Sequence, residues 1–435
     1  MRSSAKRLVA SFILAAPIVM ADAALAGDLR IPVIRDANGI PIPCMKDPKC
    51  HNRFHPAIPP VAFADPGDVV VFETRDAFDN QFNFDSRPTD VAGADASRIH
   101  PLTGPVFVRG AGPGDVLEVT LLSIEPGPDR FGYTVLFPGF GFLRDLFTAP
   151  DIARWRLRGG FARSPDMPGI RIPANGFPGT IGVAPDASLV ATMNAREAAL
   201  AAAGGFVLLP DTTNATPAAV CGPGGSQAAN CLRTIPPREN GGNMDVKQMV
   251  KGTRLLFPCY VQGCLLSVGD VHYAQGDGEV AGTAIEMNAT VKVKLAVRRG
   301  QAFLLGNRPA FEGGSELKKL APEKFYATVG YPLKAAGEVP PTHQPNYFDP
   351  AVLTPLENLS EDLTLAARDA LRRMIDYLVA AKGLTPHQAY VLTSVAVDLR
   401  IANLVDVPNY TVSAQLPLEV FVGHRRRGDR DDDDD

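Results

Sequence analysis

The sequence predicts a mainly β protein with an α+β C-terminal part, and three observations carry that expectation. Glycine and proline number 40 and 39 in 435 residues, enough to punctuate many short strands with turns. Helical periodicity is scarce before residue 360. Beyond it, two capped amphipathic segments run in succession and end in a strand. The length allows two or three packed units, read as a β-rich body over 27–320 and an α+β part of the same unit over 321–423.

The elements follow in order. Arg2, Lys6 and Arg7 precede an apolar run over 8–20, which Pro17 interrupts and which is too short to span a bilayer. Ala24-Leu25-Ala26 is a small-x-small cleavage pattern, so residues 1–26 read as a secretory leader and the chain as secreted or periplasmic. No later run is apolar enough to span a membrane. A short strand is expected over 29–35, and strands over 69–74, 106–109 and 116–124, two of them led in by Pro-Gly-Asp turns. Residues 126–180, rich in Gly, Pro and Phe, read as irregular chain, 195–203 as a helix and 210–240 as a polar loop. Ser360 caps a helix over 361–382 that Gly383 stops. Thr385-Pro386 opens a second helix, cap then N1 proline, and a last strand covers 410–417. The block 425–435 reads as a solvated tail within a disordered segment, 424–435.

Charge and cysteines narrow the class. The formal net charge is −4, and removing the leader makes the chain more acidic still. With no basic stripe, nucleic acid is excluded as a partner. The six cysteines fall into close pairs, Cys44/Cys50, Cys221/Cys231 and Cys259/Cys264. Local disulfides fit an exported chain, while a nucleophilic Cys259 or Cys264 is the competing reading.

The densest chemistry lies in 264–286, C-L-L-S-V-G-D-V-H-Y-A-Q-G-D-G-E-V-A-G-T-A-I-E. The expected form is a hairpin: a strand over 265–273, a turn at Gly276-Asp277-Gly278 and a return strand over 280–297. Side chains alternate along a strand, so Asp270 and His272 share a face. If the face carrying Glu286 opposes it, two carboxylates and an imidazole converge on a site for a divalent cation.

Six blocks resemble the acetamidase/formamidase family, in that family's order, over roughly 60–420. They are P-G-D-V-V-V-F-E-T-R-D-A-F-D-N-Q (66–81), H-P-L-T-G-P-V-F-V-R-G-A-G-P-G-D-V-L-E-V (100–119), G-T-I-G-V-A-P (179–185), G-G-N-M-D-V-K-Q (241–248), 265–286, and Y-V-L-T-S-V-A-V-D-L-R-I (390–401). The resemblance implies a β-sandwich or barrel-like body, self-association, and hydrolysis of short linear amides with a bound divalent metal, zinc foremost. The leader, the added cysteines, the 210–240 loop and the acidic tail depart from the family pattern and bear on the substrate.

Amide hydrolysis needs an activated water, a polarised carbonyl and a proton for the departing amine. Asp76, His272 and Glu286 are assigned as metal ligands, and Asp270 as a catalytic carboxylate that ligates or orients His272. Glu279 is assigned as general base, and Asp79, Gln81 and Gln275 as substrate-binding. Bland readings stand beside these. Asp277 is a turn residue, and Asp76 and Asp79 follow a strand where an Asx-turn would serve. His272 can be structural, His100 a supporting donor, and Asp245 and Lys247 a salt bridge or, for Lys247, a neighbour of the metal site. His51, His55, His343, His387 and His424 take no role. No G-x-S-x-G, H-E-x-x-H or P-loop pattern occurs. The alternatives to a linear-amide hydrolase are a non-catalytic binding protein on the same fold and a lactam hydrolase.

Overall fold

A computed structural model describes residues 28–422, except 206, 335, 338–354, 356–357, 360–361 and 406–409. The leader, the acidic tail, Ser360, the Pro408-Asn409 turn, His343 and His424 lie outside the described residues.

The body is built from two sheets. One has six strands in the order Leu29–Ile31, Val69–Thr74, Ala289–Arg298, Val116–Pro126, Arg254–Pro258, Ala310–Glu312. The other has eleven, and Leu266–His272 lies at its centre. That strand is buried along its whole length, so it cannot show the apolar/polar alternation of a half-exposed strand. Apolar side chains of both sheets and of the C-terminal helices join in one core cluster, with Phe72, Leu121, Trp155, Phe257, Met374 and Leu392 among its members.

Residues 126–180 are more regular than expected. They hold the strands Phe131–Leu136, Asp151–Arg158, Phe161–Arg163, Arg171–Pro173 and Phe177–Gly182. Phe131–Leu136 and Phe177–Gly182 are buried on both faces, which removes the period-2 signal. The helix expected over 195–203 begins earlier, as Ala187–Ala202, because the Asp186 carboxylate accepts from Leu189 N and caps it.

The C-terminal part follows its reading closely. The cap is Asp362 rather than the expected Ser360, because its carboxylate accepts from Thr364 N and Leu365 N, so the helix is Leu363–Lys382; Gly383 ends it in the left-handed conformation. Thr385 and Gln388 form a capping box around N1 Pro386 for the helix Pro386–Ala396. A three-stranded sheet, Phe325–Gly330, Thr411–Pro417 and Asp398–Asn403, packs beneath the longer helix. No helix among the described residues is long and apolar enough to cross a membrane.

All three close cysteine pairs are disulfide-bonded. Cys44 is joined to Cys50, Cys221 to Cys231 and Cys259 to Cys264. The competing reading of a nucleophilic Cys259 or Cys264 is therefore corrected, because a sulfur held in a disulfide offers no thiolate. Each bridge closes a short local loop: Cys44 and Cys50 bracket the turn before the strand at Cys50–His51, and Cys221 and Cys231 staple the 210–240 loop.

Candidate active site

The site grows from the way Leu266–His272 shares its edges. One edge pairs with Phe177–Gly182. On the other edge, Leu102–Val108 pairs with its first half and Glu286–Met287 with its last two residues. Asp270 sits at the junction of these two partners, with φ 50°. Glu286 stands directly opposite His272.

The expected hairpin needs correction here. Residues 273–285 form a loop, and the return strand starts at Glu286 rather than near residue 280. It then leaves for the six-stranded sheet as Ala289–Arg298. The loop is clamped by the C-terminal part. Gly276 N donates to Ser394 O at 2.8 Å, Ala281 N to Ser394 Oγ at 3.0 Å and Asp277 N to Asp398 Oδ1 at 3.1 Å.

His272 Nε2 lies 3.3 Å from Asp270 Oδ1, 3.3 Å from Glu286 Oε2 and 3.9 Å from Asp245 Oδ1. On its other side, His272 Nδ1 is 2.8 Å from Gln275 Oε1, while Gln275 Nε2 donates to Asp245 O at 2.8 Å. That second bond fixes the amide, so Oε1 faces the ring and can only accept. The imidazole therefore donates from Nδ1, which leaves the neutral ring's Nε2 lone pair among three carboxylates. Glu286 Oε2 and Asp245 Oδ1 are buried without a hydrogen-bond partner among the described residues. Such an arrangement requires a positive charge, either a proton on Nε2 or a cation.

The electrostatics express the same demand. Burial pushes Glu286 and Asp245 each up to about 7, and Glu279 well above the usual carboxylate range. Burial pulls His272 down, but Glu286 and Asp270 outweigh it and raise the imidazole. Burial likewise opposes the Asp270 carboxylate, but His100 and His272 hold its pKa low. Asp245, Asp270 and Glu279 all have positive φ, at 50°, 50° and 43°. Backbone held in that region by non-glycine residues is concentrated at functional sites.

Two groups of side chains have the spacing to hold a metal ion: Asp270, His272 and Glu286, and Asp245, His272 and Glu279. The Thr180 hydroxyl lies between Asp270 Oδ2, at 2.9 Å, and Asn243 Oδ1, at 2.7 Å. Gly179 faces Asp270 across the ladder. A Cβ there would stand 2.6 Å from Asp245 Oδ1 and 2.7 Å from His272 Nε2. A cavity of about 730 Å³ opens onto the cluster, and His100 and Glu279 line it too.

The structure brings together Asp270, His272, Glu279 and Glu286, and it adds Asp245 and His100. Asp245 is the residue the sequence reading missed as a site acid. Its signal was its place in the 241–248 block, beside Lys247, which pairs instead with Asp398. His100 Nε2 is 3.9 Å from Asp270 Oδ2, and its Nδ1 is buried without a partner among the described residues.

Four assigned residues are placed differently. Asp76 lies apart from the cluster, where its carboxylate accepts from Tyr133 OH at 2.7 Å, Phe78 N at 2.9 Å and Asn80 N at 3.1 Å. It closes the Asx-turn that was its bland reading. Asp79 is paired with Arg98 at 2.6 Å and accepts from Cys44 N at 3.0 Å. Gln81 is bound to the Phe78 and Asp95 backbone. Gln275 meets the imidazole rather than the open cavity. The cysteines stand outside the site as well. Cys44, Cys50, Cys221, Cys231, Cys259 and Cys264 are all absent from the cavity lining among the described residues, so their part is to brace the frame.

Comparison with known proteins agrees with this architecture. The Acetamidase/Formamidase family matches residues 42–422. The formamidase of Methylophilus methylotrophus is 31% identical over 393 residues, covering 87% of this chain and 91% of that one. The acetamidase of Mycolicibacterium smegmatis is 34% identical over 367 residues, covering 79% and 84%. A solved gamma lactamase from Delftia acidovorans superposes with a TM-score of 0.79 at 33% identity, covering 90% of this chain and 93% of its own.

Proposed function

The chain belongs to the acetamidase/formamidase family, and from that premise we propose that Asp270, His272 and Glu286 hold a divalent cation, zinc foremost, at the head of an amide-hydrolysing site. The enzyme hydrolyses the C–N bond of small linear amides to a carboxylate and ammonia, as the names of its formamidase and acetamidase relatives support. The observation that carries the metal reading is the His272 Nε2 lone pair set among carboxylates, two of whose oxygens lack partners. One imidazole nitrogen with carboxylate oxygens is a donor set that zinc takes.

When bound, such a cation lowers the pKa of water toward roughly 7 and polarises the amide carbonyl. The protein's own groups do the rest. Gln275 holds His272 in the tautomer that presents Nε2. Asp245 and Glu279, both raised by burial, form the proton-carrying pair. A pKa near neutrality, as Asp245 has, suits a group that takes a proton from the attacking water and returns it to the departing ammonia. His100, at the cavity wall, is positioned to offer a ring N–H to the substrate carbonyl. The leader pattern and the three disulfides support an exported enzyme.

The test pairs elemental analysis of the purified mature protein with ammonia release from formamide, acetamide and a small lactam. The expected result is a near-stoichiometric divalent ion and chelator-sensitive ammonia from the linear amides, with His272→Ala losing both metal and turnover. Full activity in a preparation free of metal would refute the assignment.

A further inference from the structure

The cavity is much larger than the amides named for the relatives. It measures about 730 Å³. Acetamide has four heavy atoms and needs space on the order of 100 Å³, scaled from the roughly 30 Å³ that one water takes in the liquid. Cavities of this size hold drug-sized ligands.

Its walls are of two kinds. Asp245, Asp270, Glu279, Glu286 and His272 supply the polar wall. The lining also includes Phe78, Ile99, Val135, Phe137 and Ile235, all drawn from an apolar cluster distinct from the main core. Phe140 closes on the site loop at Gly282, where a Cβ would meet its ring at 2.7 Å. Asp95, Asp211 and Arg233 also line the cavity, and each has partners in the protein. Arg233 Nη2 donates to Ala96 O at 2.7 Å, its Nη1 lies 3.8 Å from Asp211, and its unpartnered Nε is buried. The Asp95 carboxylate accepts from Ser97 N and from Asn214 Nδ2.

Resting on the amidase reading above, we propose that this enzyme prefers primary amides with an apolar, branched or aromatic acyl group of about six to ten heavy atoms. The amide stands at the carboxylate end, and the acyl group fills the space between Phe78, Ile99, Val135, Phe137 and Ile235. The hydrolytic step is unchanged: water adds to the carbonyl, the C–N bond breaks, and an apolar carboxylate and ammonia leave.

The experiment measures ammonia release by the metal-replete enzyme from acetamide, 4-methylpentanamide and phenylacetamide, and ring opening of 2-pyrrolidinone. Each buried methylene raises kcat/KM about 3- to 4-fold, so the two larger amides should exceed acetamide by at least tenfold. Acetamide turned over as well as phenylacetamide would overturn the acyl preference and leave the amidase reading standing. No ammonia from any amide would overturn both, and a lactam opened faster than every linear amide would overturn the linear class. Ile235→Trp narrows the pocket, and the phenylacetamide-to-acetamide ratio should fall at least fivefold; an unchanged ratio would refute this placement of the acyl group. A measurement on the unaltered enzyme guards against a misfolded variant. Phenylacetate should inhibit at least tenfold more tightly than acetate, and equal inhibition would overturn the proposal.

Discussion

Gly179→Ala is the substitution that most directly tests whether the space beside His272 belongs to the site. The new methyl carbon would stand 2.6 Å from Asp245 Oδ1 and 2.7 Å from His272 Cε1 and Nε2. Heavy atoms in ordinary contact lie about 3.5–4.0 Å apart, so either the carboxylate and the imidazole or the strand must yield by roughly 1 Å. The strand is flanked by Leu266–His272 and Gly241–Asn243, which resist its movement. The side chains therefore move, and a displacement of about 1 Å at a reacting centre costs about 10²-fold in rate. Overpacking costs a further ~1–3 kcal/mol of stability, partly offset by the ~0.4–1 kcal/mol that alanine gains over glycine through the unfolded chain. The expected outcome is a folded protein about 1 kcal/mol less stable, with a depleted metal content and kcat/KM for a linear amide lowered about a hundredfold. Ammonia release, elemental analysis and denaturant unfolding read these three quantities. Full metal content with kcat/KM within threefold of the parent would refute the claim that the space over Gly179 belongs to the site.

Two further predictions concern the frame around the site. His51 is buried, with Nδ1 donating to Arg53 O at 2.7 Å and Nε2 2.8 Å from the Ser267 hydroxyl on the site strand. Burial lowers its pKa from 6.5 to about 4. The folded state thus binds fewer protons than the unfolded one between these values, and its stability falls as pH drops through that window, by about 3 kcal/mol. His51→Gln should flatten this loss in denaturant unfolding at pH 7.5 and 4.5, and an unaltered pH slope would count against it. Lys247 forms a buried ion pair with Asp398, whose carboxylate also receives Asp277 N. Lys247→Met should destabilise the protein by about 3 kcal/mol, because it strands a buried carboxylate; Arg400, 3.3 Å from that carboxylate, limits the loss. A change below 0.5 kcal/mol would show the pair to be dispensable.

Much of the frame was legible because its signals are local. Thr385-Pro386 with Gln388, and Gly383 after an amphipathic run, declare their helix ends within a few residues. The cysteine pairs are local too, and the separations of 6, 10 and 5 residues match the bridges Cys44–Cys50, Cys221–Cys231 and Cys259–Cys264. Val69–Thr74 and Val116–Pro126, inner strands of the six-stranded sheet, were legible because a Pro-Gly-Asp turn leads into each β-branched run. Phe131–Leu136 and Phe177–Gly182 were not legible in the same way, since burial on both faces erases alternation and glycine and proline sit within Phe177–Gly182. The same limit applies to the site. Asp270, His272 and Glu286, which the fold brings together, share one stretch dense in polar groups. Asp245 arrives from a separate block, and only the tertiary fold sets it 3.9 Å from His272. Asp76 misled because a carboxylate after a strand looks alike whether it ligates or closes a turn. Here it accepts from Phe78 N and Asn80 N, the local pattern of the turn, and from the distant Tyr133 hydroxyl.

The placement of Glu286 shows why this architecture can hold such a cluster. The residue stands where the chain leaves one sheet for the other, between Glu286–Met287 and Ala289–Arg298. A carboxylate in the middle of a long ladder would depend on sheet register alone. At this crossing it is fixed from both sides. Asn288 receives Asp76 N at 2.9 Å and donates to Asp129 at 2.8 Å, tying the crossing to the turn after Val69–Thr74. Glu286 Oε1 accepts from Ala284 N at 2.8 Å, which aims the unpartnered Oε2 at His272. The Asx-turn at Asp76 thus acts on the site through the backbone it anchors. It sets Phe78 in the cavity wall and Asn288 beside Glu286, so one residue outside the cluster helps to place both the apolar pocket and the Glu286 carboxylate.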